Sequence, residues 1–168
     1  YRGESLTDTA GRLRAAVQER TGLTLSVGGG CNRLVAKLAA ERAKPRPGTG
    51  GTGVLIVPPG EEAAFLATHT LADIPGVGPR LQFTLKRHGL ERVTEALRID
   101  IAHFERWLGA RVGRWLFERI RGRGSDTVNL ESVAKSLSHE ETFSRDIATD
   151  EALETRLLRL VTSLGADL

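Results

Sequence analysis

Two stretches of this 168-residue chain carry residue types that suit the binding of phosphate groups. The first is the Ile-Pro-Gly-Val-Gly-Pro run at 74–79, and the second contains Arg33, Lys37 and Lys44. In the first run, glycines let the backbone turn sharply and leave room for a ligand. Free N–H groups at the start of a following helix can then hold a phosphate oxygen. Contacts of this kind position a nucleic acid without reading its bases.

The run at 74–79 has the form of a helix-hairpin-helix motif within Ala72–Arg80. We expect Ile74 and Val77 to anchor the turn in the core, while Gly76 and Gly78 shape it. Three basic residues would supply charge near the phosphates: Arg80, Lys86 and Arg87. A glycine-rich turn between two helices, without any ligand, is the alternative for the same residues.

The second stretch places a row of cations on one side of a predicted helix. Arg33, Lys37 and Lys44 are four and seven residues apart, so they lie within about 40° of one another around a helix axis. The row follows the glycine run Gly28–Gly30 and suits a phosphate-rich ligand. On spacing alone, a solvated helix face explains these three residues better.

The other chemistry-bearing residues predict neither a metal site nor a catalytic triad in this chain. The glycine-rich Gly48–Gly53 precedes a strand, whereas a phosphate-cradling loop follows a strand and opens a helix. The histidines are too far apart in sequence for metal-ligand spacing, and no Ser, His and acid arrangement stands out. Cys31 is the single cysteine, which excludes an intrachain disulfide.

Helices and strands alternate in the first part of the chain, as in an α/β or α+β sheet domain. The patterns predict these elements: a helix at Leu6–Arg20, a strand at Leu23–Val27, a turn at Gly28–Gly30, a helix from the N-cap Asn32 to Ala43, a strand at Val54–Val57 and a helix at Glu61–Thr68. Pro45 and Pro47 end the second helix.

From Leu71 the pattern changes to short helices, which places a domain boundary near His69–Leu71. The predicted helices are Pro79–His88, Arg92–Leu97, Ile101–Leu108 and Arg111–Arg121. After a polar linker come a strand-like stretch at Glu131–Phe143 and a last helix at Asp150–Leu168. A strand and one helix cannot form an independent core, so we expect this last domain to be truncated.

Composition adds a weak indication of an anionic partner. The formal net charge is +3 and the pI is about 9.5, and basic residues cluster between Asn32 and Gly48 and again between Glu105 and Arg123. No apolar run approaches the ~18 residues of a membrane span, and no signal-peptide pattern opens the chain. We therefore expect a soluble cytoplasmic protein that binds no membrane.

Four short matches resemble a diagnostic stretch of the Y-family translesion DNA polymerases, of the bacterial DNA polymerase IV type: Ser26-Val27-Gly28, Asn32-Arg33, Ala36-Lys37 and Ala43-Lys44-Pro45. The hairpin lies where this family has its thumb, and Trp107–Gly109 and Gly113–Leu116 resemble the thumb helices. The run 134–143 resembles the first strand of the little finger. The resemblance implies an α+β fold with the end of the palm at 1–69, a helical thumb at 70–123, a linker at 124–130 and the start of the little finger at 131–168.

By this resemblance the parent protein is a DNA-directed DNA polymerase that copies damaged DNA with two Mg²⁺ ions. Lys44 would contact the triphosphate of the incoming deoxynucleotide, supported by Arg33 and Lys37. The implied contacts to primer–template DNA come from Gly76, Val77, Gly78, Arg80, Lys135 and Ser136. We expect a monomer, and a sliding clamp is a further candidate partner through a tail beyond Leu168.

Departures from the family pattern limit what this segment is expected to do. Arg33 stands where the family usually has lysine, and Gly29 and Gly30 stand where it has bulkier residues. The family's catalytic carboxylates, which bind Mg²⁺, would precede Tyr1, so we expect no polymerisation by these residues alone. A non-catalytic helix-hairpin-helix module of DNA repair is the alternative function, and an α/β scaffold that binds no DNA is a third.

Overall fold

The computed structural model describes residues 3–48, 50–127 and 136–167. The chain divides into two compact units, Tyr1–Val128 and Asn129–Leu168. Helices and a small parallel sheet make up the described residues, which confirms the α+β prediction. Among these residues, no helix combines the length and the apolar character needed to cross a membrane. The predicted domain boundaries at 69–70, 123–124 and 130–131 stay predictions.

The first unit begins with a long helix and a β-α-β segment. Its elements are α1 (Leu6–Thr21), β1 (Val27–Gly29), α2 (Arg33–Ala43), β2 (Val54–Ile56) and α3 (Glu62–Ala67). The strands β1 and β2 pair in parallel, with Val27 opposite Val54. Ser5 caps α1, and Gly22 ends it in a left-handed conformation with φ 71°.

The predicted strand at Leu23–Val27 and the turn at Gly28–Gly30 were wrong, because the strand is Val27–Gly29. The reason is a close approach of α2. A Cβ atom on Gly28 would overlap the backbone of Ala36 and Ala40, and one on Gly29 would lie 2.6 Å from Ile56 Cδ1. Gly28 therefore allows close helix–sheet contact, and Gly29 leaves room for the Ile56 side chain of β2.

The rest of the first unit is helical and shares one apolar core. After a 3₁₀ turn at Leu71–Asp73 come α4 (Pro79–Arg87), α5 (Val93–Ala96), α6 (Ile101–Leu108) and α7 (Ala110–Arg119), close to the predicted bounds. The largest fully buried side chain is Phe104. Leu34 and Leu38 of α2 belong to the same core cluster as Leu71 and Ile74, so the packing continues past residue 70.

The second unit contains an irregular segment and one helix, α8 (Asp150–Ala166). The predicted strand at 131–143 is not observed in its described part, because residues 136–143 form no strand. A strand needs a hydrogen-bonded neighbour, and the described residues of this unit contain none. Side chains instead join the segment to α8: His139 Nε2 lies 2.8 Å from Asp167 Oδ2, and Arg156 Nη1 lies 3.2 Å from Glu141 Oε1.

Candidate nucleic-acid interface

The hairpin begins with a polar cap on the 3₁₀ turn that precedes it. The Asp73 carboxylate accepts hydrogen bonds from the Thr70 amide and from the Thr70 hydroxyl, each at 2.8 Å. Ile74 and Val77 are 1% and 4% exposed, which confirms their predicted role as core anchors. The Val77 amide donates to the Ile74 carbonyl oxygen at 2.9 Å and closes the turn. Val77 therefore holds the hairpin through its side chain and an internal hydrogen bond.

Gly76 is a glycine for two reasons that lie within the protein. Its φ of 99° is a conformation that side chains with a Cβ rarely adopt. A Cβ atom here would also lie 2.7 Å from Cζ2 of Trp115, on α7. The indole of Trp115 thus packs against the turn at Gly76. Sequence reasoning missed this support because nothing local connects residue 115 with residue 76.

Gly78 differs from Gly76 in both respects. Its φ is −77°, and a Cβ atom on it would meet nothing within 4 Å. It is the N-cap of α4, and no side chain caps this helix end. Among the described residues, the amides of Gly76, Gly78, Arg80 and Leu81 have no hydrogen-bond acceptor. Pro79 at the first helical position has no N–H group, so the donors that remain point from an uncapped helix start towards solvent.

The charged residues of α4 differ in their pairing. Within the described part of the chain, the side chain of exposed Arg80, in the first turn, has neither an ion-pair nor a hydrogen-bond partner. Lys86 Nζ lies 3.6 Å from Glu91 Oε2, a solvent-screened pair that contributes little. The Arg87 side chain is also unpaired among the described residues, but it lies in the last turn of α4, whereas Arg80 lies in the first turn, beside the unpaired amides.

The cationic side of α2 starts at a strong helix cap. The Asn32 side-chain oxygen accepts hydrogen bonds from the amides of Leu34 and Val35, both at 3.1 Å, which confirms the predicted N-cap. The Asn32 amide group also donates to the Gly122 carbonyl oxygen at 2.7 Å. This bond ties the start of α2 to the chain that follows α7.

Two clefts border this side of α2, and Lys37 lines both. One, of about 420 Å³, also contains Lys44 together with Arg42 and Arg46. The other, of about 300 Å³, contains Arg33 together with Arg119. Arg33 and Lys44, predicted to act on one ligand, thus line different clefts. Pro75 of the hairpin borders both clefts, which brings the two predicted phosphate-binding stretches next to each other.

Lys44 lies one residue beyond α2, as its C-cap with φ −59° and ψ 125°, so the prediction that it continues the helical row was wrong. Pro45 explains why the helix ends at Ala43, since the residue before a proline is driven out of the helical conformation. The Lys44 ammonium group lies 2.5 Å from the Glu41 carboxylate, which also pairs with Arg46. These contacts, that of Lys44 foremost, lower the pKa of Glu41.

Sequence reasoning also missed three arginines of these clefts: Arg42, Arg46 and Arg119. Arg42 donates to the Thr68 hydroxyl at 2.6 Å and lies over the Phe65 ring. Arg119 lies over the indole of Trp115, 5.2 Å from its centroid. The charge of each was visible in the sequence, but the directions of Arg42 and Arg119 depend on packing between helices that are distant in sequence.

The remaining predicted site residues lie in the second unit. Ser136 is exposed and belongs to the irregular segment, whereas Lys135 lies outside the described residues. The described ranges contain no group of three or more His, Cys, Asp or Glu side chains placed to hold a metal ion.

Comparison with known proteins finds DNA polymerases among the relatives of this chain. The impB/mucB/samB family profile matches residues 2–41. DNA polymerase IV of Alkalilimnicola ehrlichii is 32% identical over 167 residues, which are 99% of this chain and 45% of that protein. DNA polymerase IV of Streptomyces coelicolor is 36% identical over 136 residues, which are 81% of this chain and 27% of that protein. The chain thus spans less than half the length of these relatives.

Solved structures share the fold. A Y-family DNA polymerase chimera has a TM-score of 0.62 and 23% identity, and the match covers 76% of this chain and 35% of that one. DinB from Sulfolobus solfataricus has a TM-score of 0.60 and 24% identity, with 73% and 34% covered. Nearly the whole chain is thus similar in sequence to DNA polymerases IV, and its fold is that of a segment of the Y-family DNA polymerases.

Proposed function

We propose that this chain is the DNA-gripping segment of a polymerase that copies damaged DNA by template-directed nucleotidyl transfer. In this proposal the hairpin binds the backbone of primer–template DNA, and the cleft at Lys44 and Lys37 binds the triphosphate of a deoxynucleotide. Arg33 adds positive charge from the adjacent cleft. The carboxylates that would bind the Mg²⁺ ions of the reaction lie outside the described residues. We therefore expect the segment alone to be inactive.

The observation that carries the proposal is the environment of Gly78. Neither its backbone conformation nor its neighbours require a glycine, because φ is −77° and the space in front of it is empty. The unpaired amides of Arg80 and Leu81 come two and three residues after Gly78, and the Arg80 side chain lies at the same end of α4. Backbone donors with a nearby cation and no side chain in the way are what a phosphate oxygen requires.

The cation cleft supports the second part of the proposal. Glu41 holds Lys44 and Arg46 together in the absence of a ligand. A triphosphate carries more negative charge than one carboxylate, so it would compete with Glu41 for both cations. Lys44 and Arg46 already lie close together, so little rearrangement would be needed. The ion pair is half exposed and costs little to open.

Binding of the 168-residue chain to a labelled blunt DNA duplex tests the hairpin. We expect affinity to fall steeply with salt, since counterions are released from the phosphates. Gly78→Ala should weaken binding by about tenfold, because a methyl group then occupies the phosphate approach. Arg80→Ala should reduce the slope of log affinity against log salt by about one.

Gly11→Ala is the matched control for Gly78→Ala. Gly11 lies on α1, its Cβ would also meet nothing within 4 Å, and its φ is not positive. This variant should bind DNA as the parent does. Equal affinity of the Gly78→Ala and Gly11→Ala variants would remove the hairpin from the binding site, and a flat salt response would remove DNA as the ligand.

Primer extension by a parent polymerase that contains this segment tests the triphosphate site. Lys44→Ala should lower Mg²⁺-dependent extension by about ten- to a hundredfold, the value of one charge-assisted hydrogen bond. Arg12→Ala is the control, because Arg12 is likewise exposed and paired with a glutamate, Glu4, at 2.7 Å. Extension that is unchanged in Lys44→Ala would refute the role of Lys44.

A further inference from the structure

We propose that the groove between α4 and the pair α6–α7 takes one unpaired nucleotide of a DNA strand held at the hairpin. This inference rests on the proposed function, because the hairpin would deliver the strand. The groove has a volume of about 680 Å³, within the range of about 300–1,000 Å³ that is usual for small-molecule sites. The residues that form its apolar surface are Leu81, Trp107, Leu108, Val112 and Trp115.

The apolar lining suits a nucleobase. Two indoles, Trp107 and Trp115, contribute flat aromatic surface, and aliphatic side chains of α4, α6 and α7 surround them. An unpaired base that leaves the duplex loses its stacking contacts there and would gain aromatic contacts in the groove. This holds for any of the four bases, because every base has a π-face. His88 stacks on Trp107 with ring centroids 4.0 Å apart and fixes the orientation of that indole.

The charge of the lining selects a nucleotide over an uncharged apolar segment. Arg80 and Arg111 line the groove, and no carboxylate residue does. Neither arginine has an ion-pair partner within the described ranges, whereas neighbouring Arg114 lies 3.0 Å from Glu105. Two unpaired guanidinium groups beside aromatic surface provide the phosphate contact and the base contact that a single nucleotide needs.

The groove is continuous with the hairpin. Gly76 belongs to both, and Arg80 carries one of the free amides of α4 while its side chain lines the groove. A strand whose phosphate is bound at the amides therefore has its next nucleotide beside the groove. In a paired strand that base stays in the duplex. An unpaired base at the end of the duplex can leave the stack and enter.

Intrinsic fluorescence of the 168-residue chain tests this inference, because both tryptophans of the chain line the groove. Three DNAs are compared: a blunt duplex, the same duplex with one unpaired terminal nucleotide, and the same overhang without its base. We expect the base-containing overhang to bind about tenfold more tightly than the blunt duplex and to quench tryptophan emission. The abasic overhang, which keeps the phosphate but lacks the base, should bind less tightly than the base-containing overhang and should not quench tryptophan emission.

Variants separate the groove from the hairpin. Arg111→Gln should remove most of the preference for the overhang and lower affinity for the blunt duplex far less. Arg98→Gln, an exposed arginine outside the groove, should change neither. Equal far-UV circular dichroism of the variants and the parent establishes that each is folded.

Two results would overturn the inference in distinguishable ways. Equal affinity for all three DNAs, with binding still weakened by Gly78→Ala, would refute the groove and leave the hairpin intact. Absence of binding to any of the three DNAs would refute the proposed function and the groove with it. An overhang preference that survives both Arg111→Gln and Trp107→Leu would place the nucleotide elsewhere and also refute the groove.

Discussion

Replacing Gly76 with alanine separates the construction of the hairpin from its function. Two penalties arise from one methyl group. The backbone must keep φ near 99°, which non-glycine residues adopt at a cost of about 1–3 kcal/mol. The new Cβ must also displace Trp115, whose Cζ2 and Cη2 atoms would lie 2.7 and 2.9 Å away. Such overpacking costs about 1–3 kcal/mol.

The expected loss of stability for Gly76→Ala is therefore about 2–4 kcal/mol. The lower half of the combined range is appropriate because Trp115 is only partly buried and its ring edge can yield. Domains have about 5–15 kcal/mol of stability, so the variant should still fold at room temperature. Its melting temperature should fall by roughly 8–15 °C, as expected for a unit of this size.

Thermal unfolding followed by circular dichroism measures this effect, with Gly78→Ala as the internal comparison. Gly78→Ala adds the same methyl group two residues away, with an ordinary φ and nothing within 4 Å, so its stability should change by less than about 0.5 kcal/mol. A Gly76→Ala melting temperature within about one degree of the parent would refute this account of the turn. An equal loss in Gly78→Ala would refute it too.

Further outcomes follow from other contacts. Gly28→Ala should destabilise more than Gly76→Ala, since its Cβ would overlap backbone atoms of Ala40, which cannot rotate away; urea unfolding measures this. Asn32→Ala should cost about 1–3 kcal/mol through loss of the helix cap and of the bond to Gly122, whereas Asn32→Asp should retain the cap's share in the same assay. The Glu95 carboxylate accepts from two backbone amides, chiefly that of Arg92, which lowers its pKa. Its contribution is therefore complete above the ordinary carboxyl pKa and is lost as the pH falls through the lowered value. The stability difference between the parent and Glu95→Gln should accordingly vanish in acid unfolding scans.

The sequence was sufficient to predict those features that depend only on residues close to one another in the chain. Asn32 caps α2 because its side chain reaches amides two and three positions ahead. Pro45 ends that helix through its own ring. Ile74 and Val77 are buried because a turn of this form must hide its apolar residues. Each of these features was predictable, since cause and effect lie within a few residues.

Features that depend on distant residues were not predictable in the same way. The alternation of Leu23, Leu25 and Val27 indicated a strand, but the strand that forms is Val27–Gly29, and α2 approaches it closely at Gly28. Arg33 and Lys44 share a spacing but face different clefts, because the helix ends between them and another helix supplies Arg119. Local periodicity carries no information about either contact.

A comparison of Gly28, Gly76 and Gly78 shows why residue type alone does not identify a binding site. Gly28 is required by a helix packed on its strand, and Gly76 by its backbone angle and by an indole. Both reasons are internal to the fold. Gly78 has neither reason, and it stands at the one helix end of the hairpin whose amides are unpaired among the described residues. A glycine that the fold does not require, next to backbone donors without acceptors, is the arrangement that our proposed contact with a DNA phosphate requires.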